Sequence, residues 1–314
     1  MTVLLACSGG GHLKELHELV PRLGIADRER LWVTFDSGLS RSLLAGENVV
    51  FARHAGPRDA KNILLNAMHG VRLFRRHPIE LAISTGASPA VSYLVRTALA
   101  GVPTHYIESA ARAHEPSLTG RLMSRVPRVH TYTQYKSWED EQWHYGGSVF
   151  DAFERGPDSG PSSVGTVVVT LGTAESLNFR RLVEALVPLL EGREVLWQTG
   201  ATDVSGLPIT GRGAVPHREL TDAIATADLV IAHAGIGAAV TALEQGKVPL
   251  LIPRRVQYGE HIDDHQQEIA ADLSTRGLAV AREVEDLDDA ALHEAAAGSV
   301  GPRSRTPDFH LRQS

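Results

Sequence analysis

Cysteine is nearly absent from this chain: Cys7 stands alone, so no internal disulfide can form and a reducing cytoplasm is the natural setting. Long apolar runs are absent too. No stretch approaches the roughly 20 residues that a bilayer-spanning helix needs, and the opening "VLLA" is too short for a signal-peptide core before it runs into glycine. Any membrane contact is therefore expected to be peripheral. A strong excess of positive charge is missing as well: the formal net charge is -6 with Lys and Arg scattered among the acids, so no nucleic-acid groove is expected. What is present is ordinary globular composition. With 314 residues, 43% hydrophobic and 22% charged, the chain can bury a sizeable core in one or two domains.

The order of elements is legible in a coarse pass. In the first half, "TVLLACS", "RLWVTFD", "NVVFARH", "ELAISTG" and "PTHYIES" are short β-rich runs, separated by helical patterns such as Leu13 to Arg22 and Ala60 to Arg76. This alternation predicts a parallel sheet with helices on both faces. The Gly-, Pro- and Ser-rich stretch that follows reads as a linker, after which "TVVVTLGT", "FRRLVEALVPLLE", "EVLWQTG", "ADLVIAHAG", a helix from about Ala238 and "VPLLIPR" restart the pattern. The expected division is residues 1–148, a linker at 149–164, a second domain at 165–297 and a flexible tail at 298–314 that lacks a hydrophobic face. Two doubly wound α/β domains would face a cleft, with ligands at the carboxyl ends of the strands.

Four loops after strands stand out: "CSGGGH", "STGASPA", "TLGTAES" and "HAGIGAA". Each sets small or hydroxyl residues where a helix starts, and there unpaired backbone N–H groups and the helix dipole favour an anion. The commonest phosphate readers do not fit. Gly9 and Gly11 are followed by Lys14 where a dinucleotide fingerprint needs a third glycine, although Asp36 at the end of the second strand leaves a nucleotide-dependent dehydrogenase or epimerase as an alternative. No P-loop and no G-x-S-x-G elbow occurs. "HIDDH", His261 to His265, lacks the glutamate of the H-E-x-x-H pattern and a third ligand, so no metal is expected.

Longer stretches carry a resemblance. "ACSGGGHLKEL", "ELAISTGASPAVSYLVRTALAGVPTHYIESAARAHEPSLTGRLM" and "YTQYKSW" resemble the acceptor-side half of the two-piece GT-B glycosyltransferases. These are the eukaryotic enzyme that adds the second N-acetylglucosamine to dolichol-linked sugar and its bacterial exopolysaccharide relatives. "VVVTLGTAESLNFRRLVEAL", "ADLVIAHAGIGAAVTALEQGKVPLLIPR" and "DDHQQEIAADL" resemble the donor-binding half. Both halves stand here in one chain, which is also similar to the peptidoglycan N-acetylglucosaminyltransferase. The most specific part is the ordered set "HAGIG", Glu244, "DDHQ".

The resemblance implies an inverting, metal-independent transfer of a sugar from a nucleoside diphosphate, with UDP the expected nucleotide, to a hydroxyl of a lipid-linked glycan or a soluble natural product. The only co-substrate is then the nucleotide sugar, with no further cofactor. The helix after Gly235 and Gly237 would offer N–H groups to the diphosphate, and by the family match Glu244 would accept from both ribose hydroxyls. Gln266 and Gln267 would surround the sugar, with His233 and Thr173 as further donor-side candidates. The loop Ser8, Gly9, Gly10, Gly11 would serve the acceptor or close over the diphosphate. His12 at its end is a candidate base or phosphate donor, Glu108 is the rival base, and Arg112 is a candidate phosphate cation. "AKNILLNAMHGVRLFRRHP" mixes Ile63, Leu64, Met68, Val71 and Phe74 with Lys61, Arg72, Arg75 and Arg76, a pattern that suits packing on the sheet or an interfacial helix at the inner face of the membrane. A non-catalytic nucleotide-sugar-binding partner remains an alternative.

Overall fold

The computed structural model describes residues 2–56, 59–158, 160, 163–173 and 177–312. They form two compact units: residues up to Asp151 together with Thr306 onward, and Ala152–Arg305.

The first unit runs β1 (Thr2–Cys7), α1 (Gly11–Leu19), β2 (Glu29–Phe35), α2 (Gly38–Leu43), β3 (Asn48–Ala52), α3 (Ala60–Arg76), β4 (Ile79–Gly86), α4 (Val95–Leu99), β5 (Thr104–Ile107), α5 (Leu118–Met123), β6 (Val129–Thr133) and β7 (Trp143–Tyr145). The seven strands form one parallel sheet in the order β3-β2-β1-β4-β5-β6-β7. All six residues of β1 are buried, as an apolar strand covered by helices on both faces requires. Leu4, Leu31, Val33, Tyr93, Tyr106 and Trp143 belong to its core. Helix α1 is shorter than its pattern suggests: Pro21 lacks an N–H, and the last turn, Val20–Arg22, tightens instead of continuing.

The second unit contains β8 (Phe153–Arg155), β9 (Thr166–Thr170), α6 (Arg180–Leu189), β10 (Glu194–Gln198), β11 (Gly211–Arg212), α7 (His217–Thr226), β12 (Leu229–His233), α8 (Ile236–Glu244), β13 (Leu250–Ile252), α9 (His265–Thr275), β14 (Val280–Ala281), α10 (Asp289–Ala297) and β15 (Val300–Pro302). Its six-stranded sheet runs β11-β10-β9-β12-β13-β14, all parallel, and β15 pairs antiparallel with β8. In each sheet the winding reverses once, between β1 and β4 and between β9 and β12. A crevice opens at such a point over the carboxyl ends of the strands.

The tail and the linker differ from expectation. Residues 300–302 are a strand, Phe309 is 3% exposed, and backbone bonds join Phe309 N to Arg22 O at 2.9 Å and His310 N to Gly146 O at 2.8 Å. A three-residue strand and one isolated aromatic leave no periodic trace, so a segment tied down in this way reads as a loose tail. Within 149–164, Val149 and Phe150 are buried and Phe153–Arg155 is β8, while residues 159, 161 and 162 lie outside the described set.

Candidate active site

At the reversal point of the first sheet, the loop Ser8–Gly10 leaves β1 and α1 begins at Gly11, placing His12 in the first helical turn. Its ring is fixed from the neighbouring strand: Nδ1 lies 2.8 Å from Thr85 O at the end of β4, and Thr85 Oγ1 donates to His12 O at 2.8 Å. A carbonyl only accepts, so Nδ1 carries the proton and Nε2 keeps its lone pair. Burial holds the His12 pKa below the usual histidine value, and the Arg112 charge lowers it further against the Thr85 bond. The imidazole is therefore neutral at pH 7, with a basic nitrogen on the side away from Thr85. The ring lies against Gly86, where φ is +124°, which favours glycine, and where a Cβ would crowd His12 Cε1 at 3.1 Å. Among the sequence candidates the structure thus brings together His12, Arg112 and the loop Ser8–Gly11.

Glu108 is placed differently. It is 1% exposed, and both its oxygens are occupied: Oε1 accepts from Tyr106 Oη at 3.1 Å and Ser109 N at 3.2 Å, Oε2 from Ser117 N at 2.9 Å and Ser117 Oγ at 3.1 Å. Four donors fold the segment between β5 and α5 around the carboxylate and leave it no open lone pair. The expectation of Glu108 as a base is corrected on that ground. A second buried acid escaped sequence reasoning. Glu15, one turn beyond His12 on α1, accepts on Oε1 from Ala110 N at 2.6 Å and from Gln134 Nε2, and burial pushes its pKa up to about 8. "HLKEL" looks like an ordinary amphipathic turn, so the sequence gives no signal for it.

The second unit repeats the device. His233 ends β12, its Nδ1 is 3.3 Å from Thr170 O at the end of β9, and burial with the Arg254 charge lowers its pKa to about 3. The ring fills the space between two loops: a Cβ at Gly172 would lie 2.8 Å from its Cε1, and one at Gly235 2.4 Å from its Nε2. His233 therefore holds "TLGT" and "HAGIG" together from inside. Gly235 is the cap residue of α8, in which Gly237 occupies the first turn, so main-chain N–H groups are presented without side chains. Thr173 is exposed beside Gly172, and residues 174–176 of the same loop lie outside the described set.

Glu244 is the last residue of α8 and is partly exposed. A carboxylate at that end opposes the helix dipole, so helix stability does not account for it. It lies about 14 Å along the axis from Gly235, at 1.5 Å per residue. The two positions can serve different parts of one elongated ligand. The two glutamines part company. Gln266 is 3% exposed with its Oε1 accepting from Arg254 N at 3.0 Å, whereas Gln267 is exposed on α9 and lines a shallow pocket with Pro253 and Arg282. Adjacent residues on a helix point about 100° apart, so one amide is tied to the loop after β13 while the other stands open.

Contrary to the expectation that "HIDDH" lacks a third ligand, ligand atoms of His261, Asp263 and His265 lie within 4.8 Å of one another. One carboxylate faces two imidazoles, and burial lowers the His261 pKa, opposed by Asp263 and helped by the Arg254 charge. Asp36, the acid that kept a dinucleotide enzyme in view, gives both oxygens to Arg41 at 2.6 and 2.7 Å.

Comparison with known proteins agrees with this geometry. Residues 166–301 match the glycosyltransferase family 28 C-terminal domain. A UDP-N-acetylglucosamine--N-acetylmuramyl-(pentapeptide) pyrophosphoryl-undecaprenol N-acetylglucosamine transferase of Synechococcus sp. (strain WH7803) is 27% identical over 98% of this chain and 90% of its own length. Among solved structures, MurG of Acinetobacter baumannii superposes with a TM-score of 0.58 at 17% identity over 93% of this chain and 88% of its own. The glycotransferase of kitacinnamycin gives 0.59 at 15% identity over 94% and 89%. With two doubly wound units, a second half that matches the glycosyltransferase family 28 C-terminal domain and sequence relatives matched along nearly its whole length, this chain is a glycosyltransferase with the GT-B fold.

Proposed function

We propose that the chain is an inverting, metal-independent enzyme that moves a sugar, N-acetylglucosamine by analogy with its sequence relatives, from UDP to a hydroxyl of a diphosphate-lipid-linked glycan. The observation that carries this reading is α8: an open glycine N-terminus at the sheet's reversal point and an acid at the far end, spaced for a diphosphate and a ribose. His12 Nε2 takes the proton of the acceptor hydroxyl. The oxygen attacks the anomeric carbon, the bond to the diphosphate oxygen breaks, and UDP leaves with the electron pair, inverting the centre in one displacement. The Ser8–Gly11 loop and Arg112 belong to the acceptor side in this reading, and no cofactor beyond the nucleotide sugar takes part. Glu244→Ala should weaken UDP binding by about 10- to 100-fold, the worth of one or two hydrogen bonds to an ionised acceptor. Calorimetric titration checks this, and unchanged affinity in a folded variant would place the ribose elsewhere.

A lipid-linked acceptor is favoured over a soluble one by α3. Ile63, Leu73 and Phe74 pack on the core, but Leu64, Met68 and Val71 are 63%, 55% and 37% exposed on one stripe. Lys61, Arg72, Arg75 and Arg76 are exposed with them. No helix among the described residues is long and apolar enough to cross a membrane. A peripheral seat on the inner, anionic face of the cytoplasmic membrane fits both facts. Replacing Leu64, Met68 and Val71 together by Gln should lower partition onto vesicles containing anionic lipid by about 10- to 100-fold, since each partly inserted side chain contributes of order 1 kcal/mol. Equal sedimentation of variant and parent with those vesicles would contradict the seat.

A further inference from the structure

Arg254, just after β13, is 2% exposed. Among the described residues it has no ion-pair partner. Glu260, the nearest acid that acts on it, is bound at 3.0 Å by both arms of Arg181 and also accepts from Arg255 N. A buried, unpaired guanidinium is costly, and cores normally avoid one. Here one Nη donates to Leu171 O at 2.7 Å, Nε has no hydrogen-bond partner among the described residues, and the cation lies 5.2 Å from the centre of the Phe179 ring.

Three loops meet at this charge. Leu171 starts the loop after β9, His233 ends β12 and feels the Arg254 charge, and Gln266 at the start of α9 accepts from the Arg254 backbone N–H. These are the loops around the reversal point of the second sheet. The surrounding groups that titrate are His233, His261 and His265, with Asp263 the carboxylate between the last two. Burial pushes the Arg254 pKa down to about 10, so the guanidinium is still charged at neutral pH. The guanidinium therefore stands charged among neutral imidazoles, and the acid that acts on it, Glu260, is already engaged by Arg181 and by Arg255 N.

We propose that Arg254 is the buried fixed charge of the diphosphate site, a positioning residue that holds the loop after β9 through Leu171 and makes binding at that crevice depend on the ligand's negative charge. The proposal rests on the nucleotide-sugar reading above. The missing counter-charge is then the diphosphate itself, which carries more negative charge as it departs than while bound in the sugar nucleotide.

The test is a charge ladder: calorimetric titration of uridine, UMP and UDP into the full-length parent, R254K and R254M. In the parent, affinity should rise with each phosphate. R254M should lose about 10- to 100-fold for UDP and about twofold or less for uridine, because a unit charge acts on a charged ligand and hardly on a neutral one. R254K should keep the preference for UDP over uridine. Parallel weakening of uridine and UDP in R254M, or loss of the preference in R254K, would show a packing role and overturn the proposal. If R254M does not fold, R254K decides alone by the same criterion. A parent that binds UDP no better than uridine would remove the nucleotide-diphosphate reading itself. A parent that prefers UDP while R254M keeps that preference would remove only the role of Arg254.

Discussion

His12→Ala lowers turnover by about 10²- to 10⁴-fold while UDP affinity stays unchanged, the range expected when a general base is lost. The expectation follows from the ring's fixed orientation. Nδ1–H is tied to Thr85 O, so Nε2 is the nitrogen left to act, and Thr85 sits in the first unit rather than among the loops of the second. The pH profile gives an independent reading. Burial and Arg112 hold the imidazole neutral below the ordinary histidine value of about 6.5. Since the reactive form is the neutral one, kcat/KM should stay level on descending through pH 6.5 and fall only at lower pH, as the ring finally takes up a proton. His12→Ala should lose that limb. Loss of UDP binding in His12→Ala, with residual turnover preserved, would instead assign the glycine loop to the donor diphosphate.

Glu108→Gln has its main effect on stability. The amide must present an NH2 to one pair, Tyr106 Oη with Ser109 N or Ser117 N with Ser117 Oγ; the hydroxyl of that pair can turn to accept, but the backbone N–H cannot, so one bond becomes a donor-to-donor contact in a site that is 1% exposed. Leaving buried donors unsatisfied costs about 1–3 kcal/mol each. A loss near 2 kcal/mol corresponds to roughly 4–8 °C in the melting transition of a unit this size. Calorimetric melting should show the drop, and UDP titration of the folded variant should match the parent. An unchanged melting transition combined with a turnover loss as large as that of His12→Ala would restore Glu108 as the base.

The alternation of strands and helices was legible because β1 and β9 are continuous apolar runs, and α3 spans Ala60–Arg76 as its periodicity predicts. The glycine loops were legible for the same local reason: strand, small residues, helix. Side-chain commitments were not. Glu108 and Gln266 look like available polar groups in sequence, yet each is occupied by donors that arrive from other segments, Ser117 and the Arg254 backbone. Arg254 hides in "IPRR", where burial depends on Leu171 and Phe179, both more than 70 residues earlier. The order of the 298–312 segment likewise depends on partners at β8, Arg22 and Gly146. Contacts of that range leave no periodic signal in the chain that makes them.

The central claim is transfer, and one measurement addresses it most directly. The protein is incubated with UDP-N-acetylglucosamine and a polyprenyl-diphosphate-linked sugar on anionic vesicles, and product is followed by mass spectrometry and anomeric NMR. The account predicts an acceptor heavier by one sugar in inverted linkage, one UDP released per transfer in the presence of a metal chelator, and loss of both with His12→Ala. UDP binding without any change in the acceptor, or product of retained configuration, would contradict it.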